Sequence, residues 1–198
     1  MQEGQQGPVE ARLRGYGPVQ GLVFGAFVGY LTTSQQILQE QYQVGEMFAV
    51  YFGSLALAIG LSTFLNAKLV TRIPMQVLCA YALGVLSATT ILFVAYLQSI
   101  DTDPPLTHLM IYFSIAFFCL GFPFGNFNAL AVQPLGHIAG VASSVVGSAQ
   151  TFISVLVGSV IGQLYDGTVN ALIYGFLFCS LGTFVLVTWV KKHHTEKV

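Results

Sequence analysis

Five stretches of this chain contain no charged residue, and each is long enough to cross a lipid bilayer. They cover residues 15–39, 47–67, 73–100, 104–165 and 167–190. A membrane-spanning helix needs about 20 mostly apolar residues. The fourth stretch is too long for one helix, and Gln133-Pro134-Leu135-Gly136-His137 predicts a turn inside it. The sequence therefore predicts six spans, at about 17–38, 47–67, 74–98, 107–131, 138–164 and 168–190.

The composition excludes several other classes of protein. Charged residues make up 8% of the chain, whereas a soluble domain carries about 25%. The net charge of −1 also lacks the basic excess of a nucleic-acid-binding protein. Because backbone groups in lipid need internal hydrogen bonds and the runs do not alternate as barrel strands do, the spans must be helices. We expect an all-α integral membrane protein whose environment is the lipid bilayer.

The charges between the predicted spans are segregated, which predicts an orientation. All seven Lys and Arg residues fall on one side: Arg12, Arg14, Lys68, Arg72, Lys191, Lys192 and Lys197. The other side carries only acidic residues: Glu40, Glu46, Asp101, Asp103 and Asp166. The positive-inside rule therefore places both termini in the cytoplasm. We expect a polar cytoplasmic arm at 1–15, a membrane domain at 16–190 and a cytoplasmic tail at 191–198.

Small residues recur at spacings of three and four, which places them on single helix faces. In the first span the series includes Gly21, Gly25 and Gly29, and in the fifth it includes Gly147 and Gly158. Such faces let membrane helices approach closely. Two interpretations remain open: fixed packing surfaces, or surfaces along which helices rock during transport.

The fourth and first spans carry polar or helix-bending residues at bilayer depth. Pro123 lacks an amide hydrogen, so we expect a kink in the fourth span. Asn126 and Asn128 lie about 200° apart on a helix, so one is expected to bond to a neighbouring helix and the other to face a cavity. The first span ends in a polar run at 30–36. Either the helix leaves the membrane near Leu31, or its end lines a wet cavity, the alternative that we favour.

The interiors of the spans contain no Asp, Glu, Lys or Arg. They also contain no His, since the four histidines lie at span ends or in the tail. Proton relays, voltage sensors and buried ion sites normally require such groups. A serine nucleophile would lack a base, and a zinc site would lack ligands. We therefore expect neither an enzyme nor an ion channel, and no metal or cofactor.

Three segments resemble parts of a known transporter family. The most specific is 129–147, with the sequence ALAVQPLGHIAGVASSVVG; the others are 65–72 (LNAKLVTR) and 30–42, which begins YLTTS. Over about 15–190 the chain resembles the C-terminal half of a major facilitator superfamily transporter, and more closely the Bcr/CflA-like drug resistance subfamily. Gln35, Val141 and Gln133 depart from the subfamily pattern, which normally has Pro, Thr and an acidic residue there.

The resemblance implies two inverted three-helix repeats, with spans one, two, four and five around a substrate cavity. It also implies multidrug efflux by proton antiport across a bacterial inner membrane, with the proton-carrying carboxylates in the N-terminal half. From polarity, position and this resemblance, the candidate contacts to a small-molecule substrate are Tyr30, Ser34, Tyr51, Asn126 and Gln150.

The sequence thus predicts one half of a secondary-active transporter that works by alternating access, either a fragment or a truncated form. Its expected partner is the missing six-helix half. Two alternatives remain: a self-dimerising six-helix transporter, whose partner is a second copy, and a membrane interaction protein that does not transport.

Overall fold

The computed structural model describes the backbone of residues 3–133 and 138–195 and the side chains of residues 18–133 and 138–187. Over these residues the chain forms helices and no strand. The six α-helices are α1 (Glu3–Gln35), α2 (Phe48–Leu69), α3 (Met75–Gln98), α4 (Leu106–Val132), α5 (Ala139–Gln163) and α6 (Asn170–Thr195). A π-helical turn, Gln36–Gln41, continues α1, and a short 3-10 turn, Gly45–Met47, precedes α2.

Five of the helices, α2 to α6, are long and apolar enough to cross a membrane. The expectation of an all-helical chain with membrane-spanning segments is confirmed to this extent. α1 is also long enough, with 33 residues, but it is not among the five. Its apolar middle is flanked by Arg12 and Arg14 on one side and by the polar run that ends at Gln36 on the other.

Helix ends differ from the predicted spans mainly where a helix continues into polar sequence. α1 already begins at Glu3, so the backbone of the expected polar arm is helical from there onward. α6 extends to Thr195, beyond the predicted span end at 190. The turn expected at 133–137 falls between α4 and α5, and its residues 134–137 lie outside the described part of the chain.

α1 and α4 form the centre of the bundle. They contact each other, and α3 and α6, which also contact each other, pack against this pair. α5 lies against α1 and α2 lies against α4, while α5 makes smaller contacts with α4 and α6. Large aromatic side chains fill the centre, including the fully buried Phe113, Phe117 and Phe176. Among the described residues α2 and α5 make almost no contact with each other, so the side of α1 and α4 away from α3 and α6 is open between them; we call it the open face.

Candidate functional site

A row of aromatic rings joins α1, α2 and α4. Phe24 of α1 stacks on Phe124 of α4 with ring centroids 4.1 Å apart, and Phe27 contacts the same ring edge-on at 5.6 Å. Further along, Phe48 and Phe52 of α2 stack on each other at 5.7 Å. All five side chains are half-buried, so each ring keeps part of its surface free. We call these five residues the aromatic strip.

Tyr30 connects the two ends of the aromatic strip. Its ring stacks on Phe52 at 5.9 Å and meets Phe117 edge-on at 4.7 Å, and Phe117 in turn contacts Phe27. The side chain is 2% exposed, and its hydroxyl has no hydrogen-bond partner among the described residues. A buried hydroxyl without a partner costs free energy. Of the predicted contact residues, Tyr30 is therefore the one with an unused polar group beside a partly open aromatic surface.

Ser34 lies one turn beyond Tyr30, and its hydroxyl is already used. It donates to the carbonyl of Leu31 over 3.3 Å, and the neighbouring Thr33 donates to the carbonyl of Gly29 over 2.8 Å. Both side chains are buried. These bonds satisfy both hydroxyls within α1 itself, which continues as a helix to Gln35.

Tyr51 and Gln150 lie away from Tyr30. Tyr51 is half-buried and lines a groove of about 460 Å³ between α2 and α4. This groove shares Ser114 and Ile115 with a second groove that reaches α3. Tyr51 therefore occupies the flank of α2 towards α3, opposite the flank that carries Phe52. Gln150 is half-buried on α5, and its backbone carbonyl accepts a hydrogen bond from Ser154 over 2.7 Å.

Asn126 is paired with another side chain and does not face an open cavity. It is 4% exposed and exchanges two hydrogen bonds with Asn66 of α2, at 2.8 and 3.0 Å. Asn128 points to another neighbour, with its amide nitrogen 3.5 Å from Ser143 Oγ of α5. The two asparagines thus reach helices on different sides of α4, because they are separated by two positions on one helix.

The glycines of α1 lie against branched side chains of α5. An added Cβ at each of them would come within 3 Å of an α5 side chain. The pairs are Gly21 with Ile153, Gly25 with Val157 and Gly29 with Ile161. In the reverse direction, Gly158 of α5 receives Val28 of α1. The spacing of four on both helices produces one continuous close contact.

Other glycines have no neighbour within the described chain. A Cβ added to Gly147 of α5, or to Gly53 or Gly60 of α2, would meet no atom within 4 Å. We call Gly53, Ala56, Gly60 and Thr63 the α2 stripe, and Ser144, Gly147, Ser148 and Thr151 the α5 stripe. The members of both stripes other than glycine are exposed. The structure therefore gives Gly147 no packing partner, unlike Gly158.

Pro123 lies inside α4, which continues on both sides of it from Leu106 to Val132. The residue is buried, and its missing amide hydrogen removes the usual bond to the carbonyl of Cys119. Nearby, Gly121 provides room for Ser62 of α2, whose side chain occupies the place of the absent Cβ. Gly121, two residues before Pro123, thus lies at a close contact of α4 with α2.

Several buried polar groups are not among the residues that the sequence predicts to line a site. The side-chain oxygen of Gln20 and the side-chain amide of Gln41 are buried without a hydrogen-bond partner among the described residues. A glutamine inside an apolar run is the signal that could have pointed to Gln20. Asn66 is the partner of Asn126, but only the packing of α2 on α4 identifies it. The described residues contain no group of three or more His, Cys, Asp and Glu placed to hold a metal ion.

Tyrosine hydroxyls form hydrogen bonds between chain segments at one end of the bundle. The Tyr42 hydroxyl donates to the carbonyl of Pro104 over 2.6 Å, which joins the α1–α2 and α3–α4 connections. Burial, and then the charge of Asp103, raise the pKa of Tyr42. Tyr96 and His108 Nδ1 share a hydrogen bond of 2.8 Å at the same end.

Comparison of the chain with protein-family models, with curated proteins and with solved structures finds no match.

Proposed function

We propose that this chain is one six-helix lobe of a secondary-active transporter of the major facilitator type, which exports amphipathic small molecules in exchange for protons. In this proposal a second lobe packs against the open face and completes the substrate cavity. Transport then proceeds by alternating access, in which the two lobes rock around a site near the membrane midplane. The chain itself performs no chemistry on the substrate.

The pairing of the helices carries the proposal. If α1, α2 and α3 are exchanged with α4, α5 and α6, the contact of α1 with α5 becomes that of α4 with α2. The contact of α1 with α6 becomes that of α4 with α3, and the α1–α4 and α3–α6 contacts are unchanged. The exchange is not exact: the α1–α5 contact is larger than the α2–α4 contact, and among the described residues the smaller contacts of α5 with α4 and α6 have no comparable counterpart. Two inverted repeats of three helices are expected to pack in this manner.

The α2 and α5 stripes support the presence of a second lobe. Small residues at a membrane helix surface are typical of close helix contacts. On α1 such residues are covered by α5, but Gly60 of α2 and Gly147 of α5 have nothing within 4 Å of an added Cβ. The two stripes flank the open face, so a partner that covered both would also close the space above the aromatic strip.

The chemistry of the open face favours an amphipathic solute. The aromatic strip offers ring surfaces, and the buried Tyr30 hydroxyl beside it has no hydrogen-bond partner among the described residues. Ligand sites of this kind are mostly apolar with a few polar groups that fix orientation. The interiors of the spans contain no Asp, Glu, Lys, Arg or His. Because proton coupling normally uses such groups, we assign the coupling carboxylates to the second lobe.

Site-specific crosslinking tests the second lobe directly. The native Cys79, Cys119 and Cys179 are first replaced by alanine, and a single cysteine is then introduced as Gly60→Cys or Gly147→Cys. Tyr81→Cys is the matched control, because Tyr81 is 73% exposed on α3, away from the open face. We expect crosslinks in native membranes from both stripe positions to a membrane partner, and none from the control. Equal crosslinking of all three positions would contradict the proposal.

A flux assay separates the remaining alternatives. We expect the purified chain in proteoliposomes with a pH gradient to move no ethidium, an amphipathic aromatic cation, because half of the cavity is missing. Uptake together with Gly60–Gly60 crosslinks between copies would favour a self-dimerising transporter. A crosslinked partner without ethidium binding would favour a membrane interaction protein.

A further inference from the structure

A groove lies between α5 and α6, on the side away from the aromatic strip. It has a volume of about 730 Å³ and is lined by the end of α5 and the residue after it, from Leu156 to Leu164, and by α6 from Asn170 to Phe178. Pockets of about 300–1,000 Å³ commonly hold small ligands. The floor forms because α6 has no side chain at Gly175, where a Cβ would lie 2.6 Å from Ile161 Cδ1. Nothing in the proposed transport mechanism uses this groove.

The long sides of the groove are apolar, and their outer surfaces are free. Leu164 and Phe178 are 63% and 68% exposed, although both belong to or directly follow helices that can cross a membrane. The lining segment on each helix covers eight residue steps, which corresponds to about 12 Å along the axis. One leaflet contributes about 15 Å of hydrocarbon, half of the total thickness. The apolar part of the groove therefore fits within a single leaflet.

The end of the groove nearest the α5–α6 loop is polar. Asp166, Asn170 and Tyr174 line it there. Asp166 Oδ1 accepts hydrogen bonds from the backbone and the hydroxyl of Thr168, at 3.1 and 2.7 Å. These bonds lower the pKa of Asp166, so the carboxylate is ionised at neutral pH. Asn170, the first residue of α6, and Tyr174 bring an amide and a phenol that are able to donate to a phosphate.

The surrounding charge at this end is negative. The charges of Glu40, Asp103 and Asp166 all contribute, after burial, to the raised pKa of Tyr165. All Lys and Arg residues of the chain lie at the opposite end of the predicted spans. An anionic headgroup would be repelled here, whereas a cationic group would be attracted.

We propose that the α5–α6 groove binds a phospholipid with a primary ammonium headgroup, with an acyl chain along the apolar floor and the ammonium at the Asp166 carboxylate. The phosphate then lies beside Asn170 and Tyr174. The proposal requires only that the chain resides in a membrane, and it does not depend on transport.

Native mass spectrometry of the detergent-purified chain tests the assignment. The probes are phosphatidylethanolamine, phosphatidylcholine and phosphatidylglycerol with identical acyl chains. We expect phosphatidylethanolamine to bind about threefold more tightly than either of the others, as for an exposed charge-assisted contact. Equal binding of phosphatidylethanolamine and phosphatidylcholine, or a preference for phosphatidylglycerol, would overturn the proposal.

Two pairs of variants separate headgroup from acyl-chain contacts. Asp166→Asn keeps an oxygen for the bonds from Thr168 but removes the charge, and we expect it to abolish the preference; Asp101→Asn, an exposed carboxylate outside the groove, is its control. Ala171→Phe fills the groove and should reduce binding of all three lipids, whereas Ala149→Phe, exposed on α5 elsewhere, should not. An unchanged preference in folded Asp166→Asn protein, or unchanged binding in Ala171→Phe, would refute the site. Displacement by dodecylamine without any selectivity among the lipids would instead identify a site for soluble amines and refute the lipid assignment.

Discussion

Asn66 and Asn126 exchange two side-chain hydrogen bonds across the contact of α2 with α4. Asn66 Nδ2 donates to Asn126 Oδ1 over 3.0 Å, and Asn126 Nδ2 donates to Asn66 Oδ1 over 2.8 Å. The side chains are 9% and 4% exposed, so neither amide has ready access to water. Each amide offsets the desolvation cost of the other, and the two residues act as a unit.

Removing both asparagines is expected to cost less stability than the sum of removing each one alone. Asn126→Leu alone leaves Asn66 buried without a partner, so we expect the free energy of unfolding to fall by about 1–2 kcal/mol. In the double variant Asn66→Leu/Asn126→Leu no amide is left unpaired, and the loss should be smaller than the sum of the single losses by about 0.6–1.7 kcal/mol. Unfolding titrations in mixed micelles measure wild type, Asn66→Leu, Asn126→Leu and the double variant. Additive losses would contradict a coupled pair.

The contact of α1 with α5 predicts opposite effects at two glycines of the same helix. In Gly158→Ala the new methyl group collides with Val28 and lies 3.0 Å from the backbone nitrogen of Gly29, which cannot move aside. We expect a loss of about 1–3 kcal/mol in the free energy of unfolding, as for other overpacked interiors. Gly147→Ala is the control and should be neutral, or stabilising by up to about 1 kcal/mol, because alanine favours helix. Equal losses at both positions would mean that the close contact carries no stability.

Local patterns predicted the helices well, because long apolar runs and turn residues act within a few positions. They could not predict the partners of those helices. The spacing of Gly21, Gly25 and Gly29 defines a face, but only the packed structure shows that α5 covers it. By the same argument Gly147, with equivalent spacing, has no partner within the described chain. The pairing of Asn66 with Asn126 likewise depends on residues 60 positions apart.

The candidate contact residues illustrate the same limit. Tyr30 and Tyr51 are both tyrosines in predicted spans. Tyr30, on α1, contacts the flank of α2 that carries Phe52, whereas Tyr51 lies on the other flank of α2. Polarity within an apolar run indicates that a residue is unusual, but not which way it points. The amide of Asn126 is used by another side chain, and only Tyr30 combines burial, aromatic neighbours and an unpartnered hydroxyl.

Tyr30→Phe is expected to separate stability from ligand binding. Because the hydroxyl has no partner among the described residues, its removal should leave the free energy of unfolding unchanged or slightly higher. If the proposed substrate contact is correct, ethidium affinity of the complete transporter should fall several-fold. Tyr112→Phe is the matched control: its hydroxyl bonds to Thr90 Oγ1 at 3.1 Å, so that variant should lose about 1 kcal/mol of stability. Unchanged ethidium affinity in Tyr30→Phe would remove Tyr30 from the site.

Tyr42 is expected to make stability sensitive to high pH. It lies outside the membrane-spanning segments, and its pKa is raised above the ordinary value of 10.0 by burial and by Asp103. An unfolded chain therefore releases this proton at lower pH than the folded chain does. Its stabilising contribution is complete below pH 10.0 and is lost as the pH rises from there towards the raised pKa.

The comparison of wild type with Tyr42→Phe isolates this effect from the titration of lysines. We expect the variant to be less stable at neutral pH, because it loses the 2.6 Å hydrogen bond to the Pro104 carbonyl. Above pH 10.0 wild type should lose stability faster than the variant, so the difference between them shrinks. Thermal unfolding in detergent from pH 7 to about pH 11 measures it, since tyrosine titrates near pH 10. A difference that stays constant over this range would show that Tyr42 titrates alike in the folded and unfolded chains.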